Sequence, residues 1–452
     1  YVNDPRRPLT ARLPPLLPML LSPLVAAFPH NVHVLRLFAA VLCLGAVVCC
    51  YVYLRRVAPA WALGITALFA LNVHVVSTAA IPQSDLTFTM LLYAILGLCT
   101  ACGTRTTLGD AALAPLIVLI VLAVYTRIVA LALVPAVTLW LWWIGRRRAA
   151  VVVLALVLLG VAPWFAYSYR LTGSLFAPGY AADFFGRTRP MAGADGLLML
   201  LRTAAGNSSW LATEALPDAV SGFYMGQAQR LAQTLGVEWM LCTVGLSITV
   251  VMAGGFWLRA RRHGGVAELL LALYGAVVLV DSVHEARYLL PLLPLLYVYL
   301  FTGVTWIARR VNAPSLTRLA GAVILLVMVV RVASFYEKGL SWLDERVGRE
   351  SWIAWLAARS EPGVVYSASP RLLSFYTGRH SLDYPAWLCA SDSDPTKLRS
   401  NGQTYVALHP LFGAYSREYR CMSEAIRRRP GRFVEEFRDD SLSVVIYRVQ
   451  QD

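Results

Sequence analysis

Asp281-Ser282-Val283-His284-Glu285-Ala286-Arg287-Tyr288 runs straight into LLPLLPLLYVYLF at 289–301, and a second apolar run occupies 269–280. Two carboxylates, a histidine, an arginine and a tyrosine thus stand between two stretches long enough to matter to a bilayer. A charge at the centre of a spanning helix costs roughly 2.5–3.5 kcal/mol on insertion scales. If both runs cross, the cluster is a short loop at the water boundary. Charge crowded there is held by a partner or a substrate.

Composition supports the crossing. Of 452 residues, 58% are hydrophobic and 15% charged, and the mean hydropathy is +0.59. Soluble domains carry about 25% charged residues. Apolar runs of bilayer length, about 17–22 residues, recur between arginine clusters, which marks a polytopic membrane protein. The net charge of +14 does not mark a nucleic-acid binder. Lysine occurs only at 338 and 397, and much of the arginine sits in tight groups at the ends of apolar runs. That pattern is topological charge facing headgroups and cytoplasm, not a stripe along a phosphate backbone.

Ten spans are expected, near 33–53, 60–79, 86–102, 111–125, 128–144, 149–168, 240–258, 266–283, 289–307 and 317–334. Arg55-Arg56, Arg105, Arg146-Arg147-Arg148, Arg259 with Arg261 and Arg262, and Arg309-Arg310 with Arg318 then share one side. The positive-inside rule makes that side cytoplasmic. The other side receives residues 1–31, the turns near 82–85, 126–127 and 284–287, a long loop at 170–236, and the tail. LPPLLPMLLSPLVAAF (13–28) carries Pro14, Pro15, Pro18 and Pro23; proline breaks helices, so it is expected as an interfacial or re-entrant segment. GLLMLLRTA and FYMGQAQRLAQTL in the long loop read as amphipathic helices along the interface. Asn207-Ser208-Ser209 is a glycosylation acceptor or an ordinary loop asparagine. The chain opens on Tyr1 in polar sequence without a first span, and we expect its natural N-terminus to be missing.

From about 337 onward the composition is that of a small soluble domain. GVVYSA (363–368), TYVALH (404–409) and SLSVVIYRV (441–449) read as strands. PRLLSFYTG and YRCMSEAIRRR read as helices between them, giving an α/β sandwich. The division is therefore 1–336, a transmembrane domain, and 337–452, an extracytoplasmic α/β domain. Six cysteines lie in apolar runs as packing residues. Cys389 and Cys421 lie in the tail, and either pair or stay free.

The chemistry-bearing residues gather on the outer side: Arg12, Ser84-Asp85, Arg127 between two spans, Trp164 to Arg170, and His284 to Tyr288. Each has an ordinary alternative. Trp164 and Arg170 suit interfacial anchoring, Ser84 and Asp85 helix capping, His284 and Glu285 a solvated turn. Arg127 is harder to explain away, because a tight connection between spans isolates its charge. Functionally, arginine offers a planar fork to phosphate oxygens, and a carboxylate can take a proton from a hydroxyl. Glu285 with His284 could hold a divalent metal against a leaving phosphate.

At these residues the chain resembles the bacterial members of the protein mannosyltransferase-like superfamily (glycosyltransferase family 39), integral-membrane GT-C glycosyltransferases. That group includes the dolichyl-phosphate-mannose transferases and the aminoarabinose transferase acting on lipid A. The likeness covers nearly the whole chain. It lies in RLPPLLPMLL (12–21), SDLTFTMLLYAIL (84–96), YTRIVALALVPA (125–136), PWFAYSYRLTGSLF (163–176), ARYLLPLLPLL (286–296) and PRLLSFYTGRH (370–380).

The resemblance implies an all-α polytopic bundle of GT-C type with a small α/β extracytoplasmic C-terminal domain, in a bacterial cytoplasmic (inner) membrane. It implies an inverting transferase moving a sugar from a polyprenyl-phosphate donor to a lipid, glycan or protein acceptor. The family's base is an aspartate just after a first span, a stretch absent here, and Asp4 lies too near Pro14 to replace it. Asp85 matches a second acidic position and is the catalytic candidate. Arg12 matches the basic residue before the paired prolines, with Leu13 intervening. Arg287 and Tyr288 match the family's RY. Arg12, Arg127, Arg287 and Tyr288 are the expected donor-phosphate ligands. Two other classes remain open: a transporter or lipid flippase, and a non-catalytic scaffold of envelope assembly.

Overall fold

A computed structural model describes residues 14–29, 31–80, 82–104, 113–173, 175, 194–221, 234–236, 238–280, 286–337, 350–359, 361, 363–368, 370–382, 384, 398, 403–409 and 417–450. The chain divides into two compact units. The larger contains His33–Lys338, the smaller Gly339–Asp452.

The larger unit is a helical bundle. Its elements are α1 (Leu16–Ala27), α2 (Val32–Val57), α3 (Ala62–Ala70), α4 (Val73–Ala79), α5 (Ser84–Thr104), α6 (Leu113–Thr126), α7 (Leu133–Trp143), α8 (Arg147–Thr172), α9 (Ala194–Trp210), α10 (Leu216–Ser221), α11 (Glu238–His263), α12 (Val266–Val280), α13 (Leu293–Arg310) and α14 (Ser315–Glu337). Every expected span falls on one of these helices or on a helix pair. Among the described residues, six helices are long and apolar enough to cross a bilayer, and the pair α3 and α4, bent by 57°, makes a seventh. The remaining expected spans are shorter apolar helices at Leu113–Thr126, Ile128–Trp143 and Val266–Val280. The arginine-bearing ends meet: Arg56 Nη1 donates to Gly97 O (2.7 Å) and Arg259 Nη2 to Val57 O (3.2 Å).

The prolines of 13–28 do not prevent a helix. Pro14 and Pro15 precede α1, Pro18 lies in its first turn where no N–H is required, and only Pro23 is interior. Twelve residues reach about 18 Å, short of the ~30 Å apolar thickness.

The closest helix contact joins α11 to α13. A Cβ on Gly255 would lie 1.9 Å from Tyr299 O, and one on Gly303 would lie 2.2 Å from Val251 O. Glycine on both helices lets the backbones touch, the usual solution where lipid removes any hydrophobic drive between helices.

GLLMLLRTA lies on helix α9, as expected, with Leu198 and Leu201 exposed. Helix α9 packs on α12, and its Asn207, 4% exposed, donates from Nδ2 to Leu279 O (2.8 Å). Asn207 is thus a buried helix residue, not a loop asparagine. A π-helical turn at Leu211–Ala215 follows, and α10 then buries Pro217, Asp218, Ala219 and Val220. Thr249 Oγ1 on α11 donates to Ala212 O (2.7 Å), which ties this turn to a span. Residues 222–233, including most of the second expected amphipathic run, lie outside the described residues.

The smaller unit is an α/β sandwich. Its elements are α15 (Ser351–Ala358), β1 (Gly363–Tyr366), α16 (Pro370–Thr377), β2 (His380–Leu382), β3 (Gln403–Leu408), α17 (Arg417–Arg428), β4 (Phe433–Asp439) and β5 (Val444–Val449). The sheet order is β2-β1-β3-β5-β4, parallel through β2, β1 and β3, antiparallel from β3 to β5 and β4. Strand alternation sends Val365, Tyr405, Ala407 and Ile446 into one core with Trp352, Leu356 and Leu373, and Tyr366, Val406 and Val449 into another with Met422 and Ile426. Both faces are therefore covered. Cys421 is disulfide-bonded; Cys389 lies outside the described residues.

Candidate active site

Asp85 sits in the first turn of α5, where a carboxylate suits the free N–H groups and the helix dipole. It is 3% exposed. Arg127 is the residue at which the chain leaves α6 in an extended conformation before the 3-10 turn Ile128–Ala132. Its guanidinium Nη1 pairs with Asp85 Oδ1. Asp85 thus pairs with a cation as well as standing in a helix's first turn, and the charge of Arg127 has its counter-ion.

The third member is the turn after residue 285. Ala286–Leu292 forms a 3-10 helix containing Pro291, and α13 follows with Pro294 in its first turn. This turn packs on α5. The Tyr288 ring faces two guanidiniums, with Arg127 Cζ 5.4 Å and Arg287 Cζ 5.7 Å from its centroid. Tyr274 Oη on α12 donates to Tyr288 O (2.7 Å), which fixes the turn, and Phe88 of α5 stacks on Tyr274. Two guanidiniums and the Asp85 carboxylate therefore gather beside one aromatic face. The arrangement suits an anion. It lies away from the arginine-rich ends, because Gly97, which meets Arg56, is three turns farther along α5.

Arg12, His284 and Glu285 lie outside the described residues. Among the described residues, no group of three or more His, Cys, Asp or Glu side chains is placed to hold a metal.

A second polar cluster lies where α3 meets α4. Asn72 separates α3 from α4 and is fully buried; its Oδ1 accepts from His74 N (2.9 Å) and its Nδ2 donates to Ala219 O (2.7 Å) and Tyr297 Oη (3.1 Å). Tyr297 Oη donates to Val220 O (2.9 Å). These bonds lock the end of α10 and place Asp218 Oδ2 3.3 Å from His74 Nε2. The available signal was Asn-Val-His inside an otherwise apolar span, since polar groups at such depth are costly. Its partner Asp218 follows 146 positions after Asn72 in sequence, where spacing carries no signal.

No protein-family profile matches this sequence, and no curated protein does. Among solved structures, the chain is similar over 97% of its length to 88% of ArnT from Cupriavidus metallidurans bound to undecaprenyl phosphate, with a TM-score of 0.52 and 13% identity. The apo form of that ArnT aligns over 97% of this chain and 87% of its own, with a TM-score of 0.41 and 16% identity. The first likeness gives the fold: a GT-C membrane bundle joined to a small sheet-bearing unit.

Proposed function

We propose that this protein is a membrane glycosyltransferase that moves a sugar from a polyprenyl-phosphate donor to an acceptor hydroxyl, with inversion at the sugar. The observation that carries the reading is the convergence of the Arg127 and Arg287 guanidiniums on the Tyr288 ring beside Asp85. The GT-C fold supports it, and ArnT, which shares that fold, binds undecaprenyl phosphate. Arg287 meets the donor phosphate, Arg127 shares its charge between Asp85 and that phosphate, and Tyr288 keeps the two guanidiniums apart. As the bond from sugar to phosphate breaks, its electron pair leaves on the polyprenyl phosphate, and preorganised cations stabilise that developing charge. Arg12 would add a further cation for that phosphate, and His284 with Glu285 would hold a divalent metal; loss of activity with chelator tests the metal.

The site faces the outside of a bacterial inner membrane, with residues 337–452 as an extracytoplasmic domain. The disulfide at Cys421 supports that side, since such bonds persist in oxidising compartments. The break at Asn72 favours a carrier as the competing reading. Among the described residues it is the single helix pair bent by more than 40°, and side chains close it.

Transfer decides between them. Full-length protein in liposomes is incubated with undecaprenyl-phosphate-linked pentoses and hexoses and a bacterial envelope extract as acceptor. The expected result is release of undecaprenyl phosphate with a glycosylated product. Arg287→Ala should slow it roughly 30-fold or more, because losing a charge-assisted contact costs about 2–5 kcal/mol. An unchanged rate removes Arg287 from the site.

A further inference from the structure

We propose that Asp218, oriented by His74, takes the proton from the acceptor hydroxyl; this rests on the glycosyltransferase reading above. Asp85, the carboxylate that the sequence suggests for this task, is already committed to Arg127. Asp218 is not committed in that way. Its residue is 8% exposed, Oδ2 lies 3.3 Å from His74 Nε2, and neither that nitrogen nor the buried Oδ1 has a hydrogen-bond partner among the described residues. A buried carboxylate oxygen without a donor is costly, and sites that keep one generally use it.

Two further observations bear on the same place. The π-helical turn Leu211–Ala215 immediately precedes α10, and such insertions recur at functional sites. Helix α10 packs directly on Ala286–Leu292, the turn that carries Arg287 and Tyr288. The phosphate-facing cations and the Asp218–His74 pair therefore adjoin one turn. Asn72 and Tyr297 hold the carbonyls of Ala219 and Val220, so α10 is fixed by backbone contacts and the carboxylate is left for chemistry. Its shielding from water is what a base in a glycosyl transfer requires, since water is the competing acceptor.

The step balances. The acceptor O–H bond breaks and its proton passes to Asp218 Oδ1. The acceptor oxygen forms a bond to C1 of the sugar, and the C1–O bond to phosphate breaks with its electron pair leaving on the polyprenyl phosphate.

The liposome assay with undecaprenyl-phosphate-linked sugars tests the assignment. Asp218→Asn keeps the shape and removes the basicity, and should lower transfer by about 10²–10⁴-fold while undecaprenyl phosphate still binds as to wild type. Asp218→Glu should recover part of the rate. His74→Gln, which spares the carboxylate, should lower kcat and leave the donor KM unchanged. Near wild-type transfer by Asp218→Asn overturns the inference. So does parallel loss of transfer and undecaprenyl phosphate binding in Asp218→Asn and Asp218→Glu, which would make the pair structural. If wild type transfers no sugar, the glycosyltransferase reading fails with it; if wild type and Asp218→Asn both transfer, this inference fails alone.

Discussion

Arg127 and Asp85 lie 42 positions apart in sequence and meet because one ends a helix where the other begins one. Removing one partner of a buried pair leaves a charge without compensation and typically costs about 3–5 kcal/mol. Arg127→Ala should therefore lower thermal stability, and the double variant Arg127→Gln, Asp85→Asn should recover much of the loss, measured by unfolding of the purified protein. Each residue was legible alone, as a charge at a span end. Their pairing was not, because spacing along the chain does not report which helix ends adjoin. In the smaller unit, His409 is buried beside Trp352, with Glu350 Oε2 3.8 Å from its Nε2. Burial pushes its pKa down to about 4, below the ~6.5 of an unfolded histidine. The unfolded chain therefore binds the extra proton between those values. The contribution of His409 is complete above about pH 6.5 and is lost as pH falls toward 4. Thermal unfolding of full-length protein across that range should show it, and His409→Gln should flatten the dependence.

At the scale of elements, the crossing of α11 and α13 is set by Gly255 and Gly303, whose missing side chains would occupy backbone positions. Gly303→Leu should force the helices apart and destabilise the protein by about 1–3 kcal/mol or more; Gly254→Leu, at a position open to space, should cost far less. Unfolding midpoints of the two variants compare them directly. In the smaller unit, Arg379 turns inward and donates to Arg359 O (2.6 Å) and Glu361 O (2.7 Å) beyond the end of α15. The spans were legible because a bilayer demands runs of one length and composition, and topological arginines mark their ends. The break at Asn72 was not, since 60–79 reads as one apolar run. Nor was the packing of α10 and the turn before it, which are held by Asn72 between α3 and α4, Tyr297 of α13 and Thr249 of α11. Strands β2 and β4 escaped too: His380–Leu382 is three residues long, and FVEEFRD carries Glu435, Glu436, Arg438 and Asp439 with a register shift between Glu435 and Phe437. Both are edge strands, where charge and irregularity guard against pairing with other chains.

For the whole molecule, apolar runs, arginine parity and the strand-and-helix tail pointed to a membrane bundle with a small α/β unit, and the structure has the GT-C fold. The candidate site was legible more coarsely. Residue types named a phosphate-seeking cluster, and Arg127, Tyr288 and Arg287 do stand around one ring, whereas Asp218 and His74 become visible only once the chain is folded. The central claim is that this cluster holds the phosphate of a polyprenyl carrier. Binding of undecaprenyl phosphate to purified wild-type protein, Arg287→Ala and Arg127→Gln, followed by native mass spectrometry at fixed lipid concentration, tests it most directly. The account predicts a wild-type complex and at least about a tenfold weaker one in Arg287→Ala, equivalent to about 1.4 kcal/mol. Equal occupancy in wild type and both variants, or no complex with wild type, would contradict it.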